Sequence, residues 1–173
     1  MPPFGSHRVL APNVFIEVEG LDFEDFEVGQ VLEHRPGRTF TALENLLHTA
    51  RSLDLSPRVV DQHFNERVHG GDQTIGETFV LGVITALTTK TFGKVVANLG
   101  WTYVRFPRPV RPGDTVYAES EILGVRESRS RRTQGVLHVR TRALDQRGEE
   151  VCSFERNFLV YKRGQGPYAQ AGY

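Results

Sequence analysis

Cysteine is all but missing from this chain: Cys152 is the one thiol in 173 residues. A lone cysteine excludes an internal disulfide and a multi-cysteine metal site. It stands in Val151-Cys152-Ser153-Phe154, a strand-like stretch, where it reads as a small core hydrophobe rather than a nucleophile. A surplus of charge is missing too, since 21 Lys and Arg balance 21 Asp and Glu. Without a basic excess, nucleic acid is a poor partner, and without net repulsion copies of the chain are free to associate. No apolar run is long enough to span a bilayer. Met1 to Asn13 lacks the apolar stretch of a signal peptide, so the expectation is a cytoplasmic protein with no membrane partner. No Ser/His/Asp elbow, phosphate loop or dinucleotide fingerprint is present. What remains is an ordinary globular composition, 39% hydrophobic and 24% charged, in a chain long enough for one domain with its own core.

Gly, Pro and small residues crowd both ends, Met1 to Asn13 and Gly164 to Tyr173, which read as loosely ordered tails. Phe23 to Gly29 is a turn-rich entry. Gln30 to Phe40 reads as a strand broken at Pro36-Gly37. Thr41 with Glu44 forms a capping box, and Leu43, Leu46, Leu47, Ala50 and Leu53 recur at helical spacing, which predicts an amphipathic helix from Thr41 to Leu53. Asp54 to Gly71 is a polar excursion with at most a short helix, and long polar loops in compact domains are usually functional. Ile75 to Thr89 has a wide apolar face and few charges, as expected of a helix buried on most sides. The rest reads as strand: Val95 to Phe106, Thr115 to Arg126, Gln134 to Asp145 and Glu149 to Lys162. Val116, Ala118, Ser120 and Ile122 alternate with Tyr117, Glu119, Glu121 and Leu123, and Leu137, Val139 and Thr141 oppose Val136, His138 and Arg140. Asp145-Gln146-Arg147-Gly148 is a hairpin turn. One buried helix followed by long antiparallel strands implies an α+β layout, a curved antiparallel sheet wrapped around a central helix.

Certain stretches carry a likeness when read in order. They are Phe23-Glu24-Asp25-Phe26-Glu27-Val28-Gly29-Gln30, Arg38-Thr39-Phe40-Thr41, Val96-Ala97-Asn98-Leu99-Gly100-Trp101, Arg105-Phe106-Pro107, Pro112-Gly113-Asp114-Thr115, Glu127-Ser128-Arg129-Ser130 and Val160-Tyr161-Lys162-Arg163. This series resembles the MaoC-like dehydratase family, especially the branch that includes mesaconyl-CoA hydratases. The likeness covers Leu21 to Arg163. It implies a single hot-dog domain over 21–163 between tails at 1–20 and 164–173. It also implies a homodimer or larger assembly, an acyl-CoA or carrier-bound acyl thioester as substrate, and no cofactor or metal.

Hydration of an enoyl thioester needs a base for water, an acid for the α-carbon, and donors that polarise the carbonyl as enolate character develops. The family supplies an Asp/His pair in an Asp-x-Asn-Pro-x-His segment, with a backbone N–H at the start of the buried helix as the carbonyl donor. Here the segment reads Asp54-Leu55-Ser56-Pro57-Arg58-Val59: Asp54 and Pro57 match, Ser56 replaces Asn, and Val59 stands where the His belongs. An aliphatic side chain can neither take nor give a proton. His63, four residues on, would share the face of Val59 on a helical turn and is the first replacement, with His69 behind it. The resemblance thus implies catalysis by Asp54 with His63, and contacts to substrate from Ser56 and from a backbone N–H near Gly76. Asn98 and Arg105 are further substrate-binding candidates, although core packing and strand-edge charge explain them equally well. Glu77, in the first turn of the buried helix, resembles the acidic residue of hot-dog thioesterases and opens a hydrolase alternative; its plainer role is to favour the helix dipole. Val59 opens a third reading, a silent ligand-binding or partner subunit. Asp61, His63, Glu66, His69 and Asp72 fit no standard zinc spacing.

Overall fold

The long alternating segments form the backbone of the fold. The computed structural model describes residues 7–18, 20–168 and 170–171. β5 (Thr115–Glu127), β6 (Gln134–Asp145) and β7 (Glu150–Tyr161) pair antiparallel in sequence order. β3 (Val31–Thr39) adds beside β5, and β4 (Val95–Arg105) beside β7, giving the order β3-β5-β6-β7-β4. Val116, Ala118, Ser120 and Ile122 point into the core, as do Leu137, Val139, Thr141 and Ala143. Their outward neighbours form cross-strand ion pairs, Arg142 with Glu119 and Arg140 with Glu121 and Glu155. Period-2 patterning thus separates a dry face from a charged one.

Among the described residues, four α-helices stand between β3 and β4 in the chain. α1 (Ala42–Ser52), α2 (Pro57–Val60) and α3 (Gln62–His69) lie between β3 and the central helix α4 (Glu77–Leu87). The capping box at the start of α1 is formed as expected: Thr41 Oγ1 accepts from Glu44 N at 3.2 Å, and Glu44 Oε2 accepts from Thr41 N at 3.2 Å. On α4, Val80 and Ile84 pack with Phe40, Ile75, Val116, Val151, Cys152 and Phe154. Burial pushes the Cys152 thiol up to about 12, with the Glu150 and Glu77 carboxylates adding to it, so it stays a protonated core group.

Several expectations need correction. The sheet does not wrap around α4: it is open, and its two ends β3 and β4 are different edge strands. Strand length and alternation give pairing partners; closure needs the edges to meet, and here each edge is instead irregular. β4 shifts register between Val95 and Ala97, Asn98 and Gly100, and Thr102 and Arg105, and β3 between His34 and Arg38. Such bulges blunt a sheet edge. Nor is α4 buried on most sides, since Glu77, Thr78, Gly82 and Ala86 are exposed. The polar excursion holds two helices, not at most one. α1 is amphipathic as expected, but inverted. Asn45 and Thr49 are its buried residues, while Leu43, Leu46 and Leu47 are 64%, 58% and 47% exposed. Of the terminal segments, residues 1–6, 19, 169, 172 and 173 lie outside the described residues. Within the first, β1 (His7–Ala11) and β2 (Val14–Glu17) form a separate two-stranded hairpin. In the second, the Tyr168 hydroxyl donates to Gly93 O at 3.2 Å.

A second core lies beneath β6 and β7, where Phe23, Phe26, Phe92, Ile122, Leu137, Val139, Phe158 and Val160 meet. Gly135 belongs to it by necessity, because a Cβ there would fall 2.1 Å from the Phe23 ring. His34 crosses this core, 3% exposed, with Nδ1 3.1 Å from Thr91 Oγ1 and Nε2 2.9 Å from Ser120 Oγ. Burial, and then the nearby Arg156 and Arg35, lower its pKa from 6.5 to about 4. A displacement of that size is worth about 3 kcal/mol. Between those two pH values the unfolded chain takes up a proton that the folded chain refuses, so stability falls as pH drops through the window and is complete above it. Urea unfolding at pH 7 and pH 4.5 should show the parent losing about 2 kcal/mol more than His34→Gln does.

Candidate functional site

The amide of Asn45 organises the start of α4. Its Nδ2 donates to Thr74 O at 3.2 Å, and its Oδ1 accepts from Gly76 N at 2.9 Å. The loop is fixed on its other side by Ile75 N, which donates to Val110 O at 2.8 Å. Because Gly76 N–H is thereby occupied, it is not the donor available to a substrate. Gly76 O accepts from the N–H groups of Phe79 and Val80, both at 3.0 Å. The N–H groups of Glu77 and Thr78, between them, are the ones a helix start leaves without an intrahelical acceptor.

Asp54 reaches this point through the end of α1. Leu53 caps the helix in the left-handed region, φ 59° and ψ 31°, where a non-glycine residue carries strain. The chain reverses there, and Ser56 N donates to Asp54 Oδ1 at 3.3 Å in an Asx turn, with Pro57 opening α2. From the position a Cβ would take on Gly76, Asp54 Oδ2 is 3.3 Å away, and Asn45 Oδ1 and Val59 Cγ1 are each 3.8 Å away. Any side chain at 76 would crowd the Asp54 carboxylate, so glycine is what lets the two approach. Asp54 and Val59, paired in the sequence by spacing alone, therefore meet at the same helix start.

A cavity of about 560 Å³ opens over this junction. Asp54, Ser56, Arg58 and Val59 line it from one side, Glu77, Thr78 and Val80 from α4, and Phe106 and Arg108 from the β4–β5 connection. Arg58 also stands 3.8 Å from Asp72 Oδ2, and Arg108 pairs with Glu149. The Arg111 guanidinium beside Asp72 holds that carboxyl below its usual range.

The other candidates fall elsewhere. His63 is exposed on α3 and outside the cavity lining; His69, half-buried with its ring 5.7 Å from that of Phe64, is outside the lining too. Asp61 caps α3, accepting from Phe64 N at 2.9 Å, and buried Asn65 ties α2 to α3 through Arg58 O and Asp61 O, each at 2.9 Å. Asn98 is exposed on β4 opposite Phe158. Arg105 borders a separate recess of about 300 Å³ with Tyr103, Arg140 and Glu155. Among the described residues, no three His, Cys, Asp or Glu side chains are grouped to hold a metal, and no helix is long and apolar enough to cross a membrane.

Sequence reasoning missed Asn45, His48 and Thr78. His48 Nε2 lies 3.0 Å from Thr78 Oγ1, and its ring stacks on Phe79 with centroids 4.9 Å apart. The available signal was the polar stripe Asn45, His48, Thr49, at i, i+3 and i+4 opposite the leucines.

The arrangement has recognisable relatives. A family profile described as mesaconyl-CoA hydratase matches residues 13–172, past both ends of the 21–163 segment. The chain is 33% identical over 153 residues to a mesaconyl-CoA hydratase from Cereibacter sphaeroides, covering 88% of this chain and 44% of that protein. Its fold is similar to the crystal structure of a putative MaoC domain protein dehydratase from Chloroflexus aurantiacus, with a TM-score of 0.79 and 28% identity, covering 85% of this chain and 42% of that one. It is also similar to a Mycobacterium tuberculosis protein described as a double hot-dog fold, with a TM-score of 0.73 and 26% identity over 86% of this chain and 46% of the other. The chain thus spans less than half the length of each.

If Asn45 is the clip that builds the junction, Asn45→Ala should cost about 3 kcal/mol, because Gly76 N–H and Thr74 C=O are left unpaired. Asn45→Asp keeps the acceptor and should recover part of that loss. Urea denaturation of the three proteins checks both.

Proposed function

The chain belongs to the mesaconyl-CoA hydratase family of MaoC-like hot-dog proteins, and from that membership we propose that it is a hydro-lyase acting on an enoyl or 3-hydroxyacyl thioester of CoA. The observation that carries the reading is the meeting of Asp54 with the start of α4 at Gly76, inside a cavity of about 560 Å³. The Asp54 carboxylate takes a proton from water as the hydroxyl adds to the β-carbon. The N–H groups of Glu77 and Thr78 donate to the thioester carbonyl oxygen as it gains enolate charge, where the helix dipole also favours it. Ser56 holds Asp54 in its turn. Arg58 and Arg108, both in the cavity wall, suit the CoA phosphates. His63 is given no part, since it does not line the cavity.

Hydrolysis by Glu77 is the competing chemistry, because that carboxylate shares the cavity. Purified protein is assayed with mesaconyl-CoA and other short enoyl-CoA esters, following the conjugated thioester absorbance with a thiol trap alongside. Absorbance loss without free thiol is expected, and Asp54→Asn should lower kcat by at least about 100-fold. Thiol release abolished in Glu77→Gln would replace the hydro-lyase with a thioesterase. Silence in both channels would favour a binding or partner role, with Val59 as its mark.

We propose that the chain pairs with a second copy of itself in a homodimer. The exposed leucines of α1 and the open β4 edge are surfaces such a pairing would cover. Sedimentation equilibrium should give twice the 19.5 kDa chain mass; a monomer across the micromolar range would overturn the pairing.

A further inference from the structure

We propose that His48 and Thr78 together supply the proton that the family's missing histidine would have delivered, with Thr78 touching the substrate and His48 acting through it. This rests on the hydro-lyase reading above. Val59 leaves the Asp54 side of the cavity without an acid. The fold brings in another imidazole from a different element. Asn45 and His48 lie one turn apart on the inward stripe of α1, and they address Gly76 N and Thr78 Oγ1, two residues apart at the start of α4. His48 is half-buried, and the Phe79 ring lies nearly parallel to it at 17°, which holds the imidazole plane while Nε2 meets the hydroxyl at 3.0 Å. His48 itself does not line the cavity; Thr78 does, together with Asp54 and Glu77. The hydroxyl is therefore the group through which the imidazole can act on a bound thioester.

Position favours proton delivery over water activation. Thr78 is in the first turn of α4, whose N–H groups are the carbonyl donors in the reading above. A carbonyl oxygen held by those N–H groups would place the adjoining α-carbon, rather than the more distant β-carbon, beside the hydroxyl. In hydration, water loses one proton to the Asp54 carboxylate and its oxygen bonds to the β-carbon. The π electrons move towards the thioester carbonyl and return to form a bond from the α-carbon to the Thr78 Oγ proton. The imidazolium N–H of His48 reprotonates Oγ. Asp54 now carries one proton more and His48 one fewer, and exchange through solvent water resets the pair. Dehydration runs the same steps backwards.

The test uses the parent, His48→Gln, His48→Ala, Thr78→Val and Thr78→Ser against one enoyl-CoA ester. Glutamine keeps a hydrogen bond to Thr78 but carries no transferable proton, so His48→Gln should lose about 100-fold in kcat with KM and melting temperature little changed. Thr78→Val should match it, and Thr78→Ser should recover most of what valine loses. The double variant His48→Gln/Thr78→Val should be no worse than either single change, as for residues that act as a unit. Added imidazole should restore part of kcat to His48→Ala, a response that a purely structural histidine would not give. Full kcat in His48→Gln, with the parent and Asp54→Asn behaving as expected, would overturn the relay and leave the hydro-lyase standing. A parent that turns over no enoyl thioester would overturn both.

Discussion

Everything at the candidate site hangs on one buried carboxamide. Asn45 is 1% exposed and uses both ends of its amide on the segment before α4. A buried polar side chain is tolerated only where its hydrogen bonds are met, so the amide fixes the distance and rotation of α1 against α4 at once. With that rotation set, Leu53 and Asp54 leave α1 at the point where Gly76 has no side chain to obstruct them. His48, one turn further along, comes over Thr78. An apolar residue at 45 would leave the same helices in the same order without a reason to meet in this register.

The rotation has a second consequence. Turning the polar stripe of α1 inward turns its leucines outward, and Leu43, Leu46 and Leu47 stand in solvent together with Leu53 and Leu55 beyond them. Isolated apolar residues on a surface are unremarkable, whereas a row of them on one helix is a surface made to be covered. The open sheet leaves a comparable opportunity at β4, whose outer positions include Leu99, Trp101 and Tyr103. The unspent apolar surface thus gathers on one helix and one sheet edge. The clip that assembles the site is then the same feature that turns these leucines to the surface.

The sequence was most legible where interactions are local. The alternation on β5 and β6, the Thr41–Glu44 box and the turn at Asp145 to Gly148 depend on neighbours a few residues apart, and they stand in the structure as read. Asp54 and Gly76 were singled out through the family resemblance, and the fold brings them together at the start of α4. The open form of the sheet was not legible, because edge closure depends on registers between strands far apart in the chain, and bulges in β3 and β4 leave no trace in period-2 patterning. The leucine spacing of α1 announced two faces without saying which looks inward. A search by spacing for the displaced histidine led forward to His63, which falls on the exposed side of α3, whereas His48, the histidine near the cavity, lies eleven residues before Val59 on α1.

The cavity's charges bear on how a thioester of CoA would enter. Asp54 and Glu77 bring two carboxylates into its wall, and Arg58 and Arg108 bring two guanidiniums. Neither arginine is idle: Arg108 pairs with Glu149, and Arg58 shares Asp72 with Arg111. The shared pair is the weaker hold. Asp72 takes a bidentate contact from Arg111 and leaves Arg58 at 3.8 Å, beyond hydrogen-bond reach. An exposed contact of that length contributes little, so Arg58 can turn to a phosphate at small cost while Asp72 stays satisfied by Arg111. Because Arg58 precedes Val59 and follows Pro57 on α2, a phosphate held there would anchor the short helix that carries the cavity wall beside Asp54. Binding the remote, charged end of the substrate would in this way steady the group that acts on its reacting end.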